Sequence, residues 1–132
     1  MRGAQILEGR RNVLVVDDDQ GVLGALEKLL WLHGYEPILF SSARDFKNHS
    51  DFDGAVCAVL DIHLNDGSGI ELLSDLRAAG RCLPVVCMTG SDNPAARKAA
   101  LNLGCIAFLM KPFAARDLIE PLKRAAAEHP LE

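Results

Sequence analysis

The sequence predicts an α/β fold, a parallel sheet with helices on both faces. Short apolar runs alternate along the chain with longer segments of helical periodicity. One run, Ala55-Val56-Cys57-Ala58-Val59-Leu60, is apolar at every position, the pattern of a strand covered on both sides. Asp17, Asp18, Asp61, Thr89 and Lys111 all lie just past the ends of such runs, where open parallel sheets gather their ligands.

Taken in chain order, Asn12 to Val16 reads as a first strand, and Gln20 to Gly34 as a helix with Val22, Leu26, Leu29, Leu30 and Leu32 among its apolar positions and Gly34 as its stop. Tyr35 to Phe40 is a second strand, and Pro37, which lacks a ladder donor, confines it to an edge. Ser41 or Ser42 can cap a short helix running to about His49. Ala55 to Leu60 is the third strand, Asp66-Gly67-Ser68-Gly69 a loop, and Ile70, Leu72, Leu73 and Leu76 mark a helix ending at Gly80. Leu83 to Met88 is the fourth strand, and Asp92 and Asn93 cap an alanine-rich helix with Pro94 in its first turn. Cys105 to Met110 is the fifth strand. Ala114 to about Glu128 is the last helix, which Pro121 should bend unless the helix starts late.

A buried strand that stops on carboxylates needs a cation nearby, because clustered carboxylates repel and are costly to desolvate. Val13-Leu14-Val15-Val16 ends on Asp17-Asp18-Asp19, and the third strand ends on Asp61. Hard Mg2+ prefers carboxylate, water and phosphate oxygens, so the pattern points to a metal-dependent phosphoryl site at the sheet's edge. Asp19 has a plainer reading, as the residue that caps the first helix.

Composition narrows the class. The 132 residues suit one domain, and at 49% apolar the chain is globular. A formal net charge of -4 argues against direct nucleic-acid binding, which rewards a basic face. No stretch reaches the roughly 18 apolar residues that span a bilayer. Met1 to Gly9 lacks the apolar core of a secretion signal, so the expected compartment is the cytoplasm. Cys57, Cys82, Cys87 and Cys105 form no CxxC pair and read as small buried hydrophobes in a reducing environment.

Four motifs taken together, Val15-Val16-Asp17-Asp18-Asp19, Leu60-Asp61-Ile62-His63-Leu64 with Asp66-Gly67-Ser68-Gly69, Pro84-Val85-Val86-Cys87-Met88-Thr89-Gly90, and Lys111-Pro112-Phe113, resemble those of a response regulator receiver domain of two-component signal transduction. The resemblance places the receiver at 12–127, between an N-terminal extension, 1–11, and a C-terminal tail, 128–132. It implies a flavodoxin-like doubly wound (βα)5 sandwich with strand order 2-1-3-4-5. It further implies that Asp61 accepts a phosphoryl group from a sensor histidine kinase or phosphotransfer protein, with Mg2+ or Mn2+ as cofactor. In that family pattern Asp18, Asp61 and the backbone carbonyl of His63 ligate the metal, and Asp17 acts through a metal-bound water. Lys111 and Thr89 stabilise the phosphoryl group, and Pro112 follows a cis peptide that aims Lys111. His63 and Ser91 tune dephosphorylation. Asn65 in place of a frequent proline loosens its loop, and Gly90 leaves the phosphoryl group open to water, so the expected phosphate loss is quick.

The resemblance also implies a switch. Thr89 moves toward phosphorylated Asp61, and Phe108 fills the vacated space, changing the surface of the fourth helix, fifth strand and fifth helix. The plainer reading makes Phe108 ordinary core. Arg97, Lys98, Arg116, Asp117 and Glu120 could form a homodimer face there. A downstream effector, within a longer regulator or separate, is a further candidate partner. The motif wording is similar to receivers that precede helix-turn-helix domains in the nitrogen-fixation-regulator group. Such a domain is no enzyme toward other substrates. Two alternatives stand beside it, an aspartate-nucleophile phosphatase of the haloacid dehalogenase type, for which Asp17-Asp18-Asp19 offers Asp-x-Asp, and a non-phosphorylated interaction module of the same fold. A dinucleotide or flavin binder is disfavoured, since no GxGxxG is found after the first strand.

Overall fold

A computed structural model describes residues 11–52 and 54–128. The expected extension, but for Arg11, and the tail beyond Glu128 lie outside the described residues. Strands β1 (Arg11–Val16), β2 (Tyr35–Phe40), β3 (Ala55–Asp61), β4 (Val85–Thr89) and β5 (Ala107–Met110) alternate with helices α1 (Gln20–Leu32), α2 (Ala43–Lys47), α3 (Gly69–Ala78), α4 (Pro94–Asn102) and α5 (Ala115–Glu128). All ladders are parallel and the strand order is β2-β1-β3-β4-β5, the doubly wound order the motifs imply.

Alternation along each strand splits the apolar side chains between two layers. Leu14, Val16, Ala58, Leu60, Val85 and Cys87 face α2, α3 and α4, meeting Phe46, Leu72, Leu73, Leu76 and Ala100. Val13, Val15, Val59, Val86 and Met88 face α1 and α5, meeting Leu23, Leu26, Leu30, Leu118, Ile119 and Leu122. Because the central strands are covered on both sides, β3 and β4 are buried almost end to end, which is why their sequences run apolar without alternation. Pro37 lies on β2, an edge strand, where its missing donor costs no ladder bond.

Local chemistry sets the helix ends. Asp19 caps α1, its side chain accepting from Gly21 and Val22, and Gly34 turns the chain at φ +88°. Of the two candidate serines, Ser42 caps α2. Asn93 alone caps α4, accepting from the Ala96 amide, while Asp92 points to Arg97. α5 starts promptly at Ala115 and runs through Pro121, which is buried. At its N-terminus Asp117 accepts from the Ala114 amide at 3.2 Å, a cap with no clear signal in the sequence. The cysteines divide as expected in all but one case: Cys57, Cys87 and Cys105 are buried and Cys82 is exposed. Burial pushes the Cys57 thiol up to about 12, leaving it protonated and inert. No helix among the described residues is long and apolar enough to cross a membrane.

Two residues that the sequence does not single out position the loops. Arg77 donates from Nε to the Leu103 carbonyl and from Nη1 to those of Arg81 and Leu83, all at 2.9 Å, so one guanidinium ties the end of α3 to the approaches of β4 and β5. Gly69, the first residue of α3, sits against the end of β3: a Cβ there would lie 2.4 Å from the Asp61 carbonyl oxygen and 3.0 Å from Ile62 Cα. Since those neighbours are backbone, they cannot rotate away. Gly69→Ala is expected to lower stability by about 1–3 kcal/mol in urea denaturation, with Gly90→Ala, whose added Cβ meets nothing within 4 Å, as the neutral control.

Candidate functional site

The strand ends converge at the carboxyl edge of the sheet. β1 is followed at once by Asp17, fully buried, whose amide donates to the Phe40 carbonyl at 3.1 Å. β3 terminates in Asp61, 4% exposed. β1 and β3 are neighbours, so their carboxylates arrive side by side. Lys111, directly after β5, is held by its amide to the Thr89 carbonyl at 2.7 Å and precedes a cis peptide to Pro112. Its ammonium spans the two acids: Nζ donates to Asp17 Oδ2 at 2.6 Å and to Asp61 Oδ2 at 3.1 Å.

The remaining oxygens are committed differently. Asp17 Oδ1 accepts from the Asp19 amide at 2.9 Å, and Asp61 Oδ1 from the His63 amide at 3.0 Å. Asp18, only partly buried, accepts from the Asn65 amide at 2.7 Å. A proline at 65 would lack that donor, whereas Asn65 supplies a bond between its loop and the acidic cluster. Oxygens of Asp17, Asp18 and Asp61 all lie within 4.8 Å of one another. An all-oxygen, all-carboxylate donor set of this size fits a hard divalent cation such as Mg2+ or Mn2+.

Electrostatics point the same way. Burial raises the Asp17 pKa above its ordinary value, with the Asp61 charge adding to the rise and the Lys111 and Asp19 hydrogen bonds opposing it. For Lys111, burial works downward, but its hydrogen bonds to Asp17 and Asp61 and their charges prevail and hold the ammonium pKa above normal. Burial thus disfavours the Asp17 charge, while Lys111 is held protonated.

The other predicted residues surround this core without all joining it. Thr89 is fully buried, yet its hydroxyl turns to its own loop, donating to the Ser91 carbonyl at 3.0 Å and accepting from the Ser91 amide at 3.2 Å. His63 Nε2 and Ser91 Oγ meet at 3.4 Å over the rim. Phe108 lies further down β5, half-buried against the α4 layer, with the Arg97 guanidinium over its ring. Asp66, by sequence no more than a loop residue, has a definite task. Its two oxygens accept from the Ala43 and Arg44 amides at 2.9 and 3.0 Å, tying the β3–α3 loop to α2. Those backbone bonds hold its carboxyl below the usual range. Leu64 and Gly67 close the same loop with reciprocal backbone bonds.

The doubly wound five-stranded sheet carries an acidic cluster and a lysine at its carboxyl edge, and comparisons with known proteins identify the family to which this arrangement belongs. The sequence model described as the response regulator receiver domain matches residues 13–123. The transcriptional regulatory protein GltR of Pseudomonas aeruginosa is 35% identical over 115 residues, 86% of this chain and 48% of its own. The response regulator protein TmoT of Ectopseudomonas mendocina is 34% identical over 125 residues, 93% of this chain and 56% of its own. The chain therefore spans about half the length of the curated relatives it matches. Among solved structures, a response regulator receiver protein from Pseudoalteromonas atlantica superposes with TM-score 0.84 at 28% identity, covering 89% of this chain and 98% of that one. A CheY-like receiver domain protein from Methanospirillum hungatei superposes with TM-score 0.82 at 29% identity, covering 90% and 95%. This chain belongs to the response regulator receiver domain family.

The raised Asp17 pKa gives a stability prediction. A carboxyl whose folded pKa exceeds its unfolded value destabilises the fold when ionised, so the cost is full at neutral pH and disappears as pH falls through the raised value toward 3.8. Without metal, Asp17→Asn is expected to be more stable than the parent by about 1 kcal/mol or more at pH 7, since the buried charge is removed while Lys111 keeps Asp61. Thermal melts taken from pH 7 to pH 4 should show that gap narrowing.

Proposed function

We propose that Asp61 is the phosphoacceptor of this receiver, taking a phosphoryl group from the phosphohistidine of a sensor histidine kinase or phosphotransfer protein. A carboxylate oxygen of Asp61 attacks phosphorus, the P–N bond to imidazole breaks, and an acyl phosphate forms. The observation that carries this reading is Asp61 itself, a nearly buried carboxylate at the end of a central strand, bridged by Lys111 to a second buried carboxylate. Asp18, Asp61 and the backbone carbonyl of His63 would hold Mg2+ or Mn2+ directly, with Asp17 reaching it through water. When bound, the ion neutralises charge gathering on the transferring group.

The chain's own groups do the rest. Lys111 is protonated and already beside Asp61, so a small rotation of its flexible stem turns the ammonium to a phosphoryl oxygen. Thr89 must exchange its bond to the Ser91 carbonyl for one to the new phosphoryl group, which draws the β4–α4 loop toward Asp61. Phe108 lies on the same sheet layer as Cys87, its register partner, and so below Thr89 on the α4 side. The space Thr89 leaves is the space Phe108 takes, and the α4-β5-α5 surface changes for output, through a homodimer, an effector domain or a separate protein. His63 and Ser91 tune hydrolysis of the acyl phosphate, a reading supported by the 3.4 Å contact between His63 Nε2 and Ser91 Oγ beside the site. Gly90 screens nothing there, since it has no side chain. The domain works in the cytoplasm, where its kinase presents the phosphohistidine, and binds neither nucleic acid nor membrane itself. It turns over no other substrate.

Incubation with phosphoramidate and Mg2+ tests the reading. Intact mass should rise by one phosphoryl group, the gain should vanish in Asp61→Ala and on chelation with EDTA, and p-nitrophenyl phosphate should stay uncleaved. An unmodified wild-type protein, or turnover of the nitrophenyl ester, would overturn it in favour of the interaction module or the phosphatase.

A further inference from the structure

Asp92, Arg97 and Phe108 form a chain of contacts between the two parts that the proposed switch must move. The Arg97 guanidinium lies 5.2 Å from the centroid of the Phe108 ring and 3.6 Å from Asp92 Oδ1. Asp92 belongs to the β4–α4 loop, next to Ser91, the residue that holds the Thr89 hydroxyl. Phe108 belongs to β5. Arg97 therefore grips both the loop that Thr89 would pull and the ring that would move after it.

Its placement is otherwise unfavourable. Arg97 sits near the N-terminus of α4, where the helix dipole disfavours a cation and no acidic residue occupies the first turn. The offsetting groups lie outside the helix, the carboxylate of Asp92 and the face of Phe108. The Asp92 pair is well exposed and contributes little by itself. Cation–π attraction to a half-buried ring is the stronger of the two, and it exists only while the ring keeps its present rotamer.

We propose that Arg97 is a positioning residue for the switch, a latch that holds Phe108 in its present arrangement, half-buried against the α4 layer, and opposes activation. Arg97 touches neither Asp61 nor Lys111, so it acts by weighting the two arrangements and leaves the chemistry alone. This inference rests on the phosphoacceptor reading for its purpose, but the latch itself exists or not without phosphate. An attraction of this class shifts a two-state ratio roughly two- to five-fold.

The test compares wild type, Arg97→Met, which keeps the aliphatic stem, and Arg97→Lys, which keeps the cation. Phe108 χ1 populations are measured in the ligand-free full chain from three-bond couplings, and half-saturation by beryllofluoride at fixed Mg2+ is then monitored by NMR. Arg97→Met should raise the population of the alternative Phe108 rotamer and lower the half-saturating beryllofluoride concentration, each roughly two- to five-fold, while Arg97→Lys stays near wild type. In a Phe108→Leu background Arg97→Met should lose its effect. Arg97→Met indistinguishable from wild type in both readouts overturns the latch. A wild type that does not respond to beryllofluoride overturns the phosphoacceptor reading instead, and the ligand-free rotamer populations alone then decide the latch.

Discussion

One ammonium group between two carboxylates holds the functional end of this domain together. Asp17 follows β1 and Asp61 ends the adjacent β3, both nearly inaccessible to water, and burial together with the Asp61 charge raises the cost of ionising Asp17. Lys111 reaches them from the far side of β4, bonding to both. It compensates the pair without covering Asp18, which keeps to the rim with its single bond to Asn65. Three carboxylates against one ammonium leave the cluster net negative, an arrangement compatible with a divalent cation.

From that centre the loops are linked one bond at a time. Lys111 hangs from the Thr89 carbonyl, Thr89 is bound to Ser91, Ser91 meets His63, and the His63 amide returns to Asp61. Asn65 and Asp66 extend the ring to Asp18 and to the start of α2. Asp61 is therefore joined by a continuous series of contacts to the β4–α4 and β3–α3 loops. Within this ring Thr89 is the fully buried hydroxyl, and its bonds are to Ser91 of its own loop.

Much of this was legible in the residues. Alternating apolar runs and helical periodicity disclosed five strands and five helices, Pro37 identified an edge, and Asp19 was separable from its acidic neighbours as a cap. These are local signals, carried by side-chain period, a missing amide or a short polar side chain next to free backbone donors. Boundaries were less sharp for the same reason: Asp92 and Asn93 are equally good caps in isolation, and only the fold shows Asn93 accepting from the Ala96 amide while Asp92 pairs with Arg97. Arg77 and Gly69 carried no local signal. An arginine on a helix reads as surface, and a glycine after a serine reads as loop, until three carbonyls converge on one and a strand's backbone presses on the other.

The sequence by itself determined which residue types stand at the strand ends, and hence the class of chemistry. Hydrophobic pattern decides where strands stop, and the side chains just past those stops limit the reactions the sheet edge can perform. Tertiary structure alone decided who holds whom: that Lys111 bridges Asp17 and Asp61, that Asn65 ties Asp18, that Thr89 turns to Ser91, and that Arg97 covers Phe108. Those pairings join residues as many as 94 positions apart, brought together by strand order and register. Such distances lie outside the reach of any local pattern.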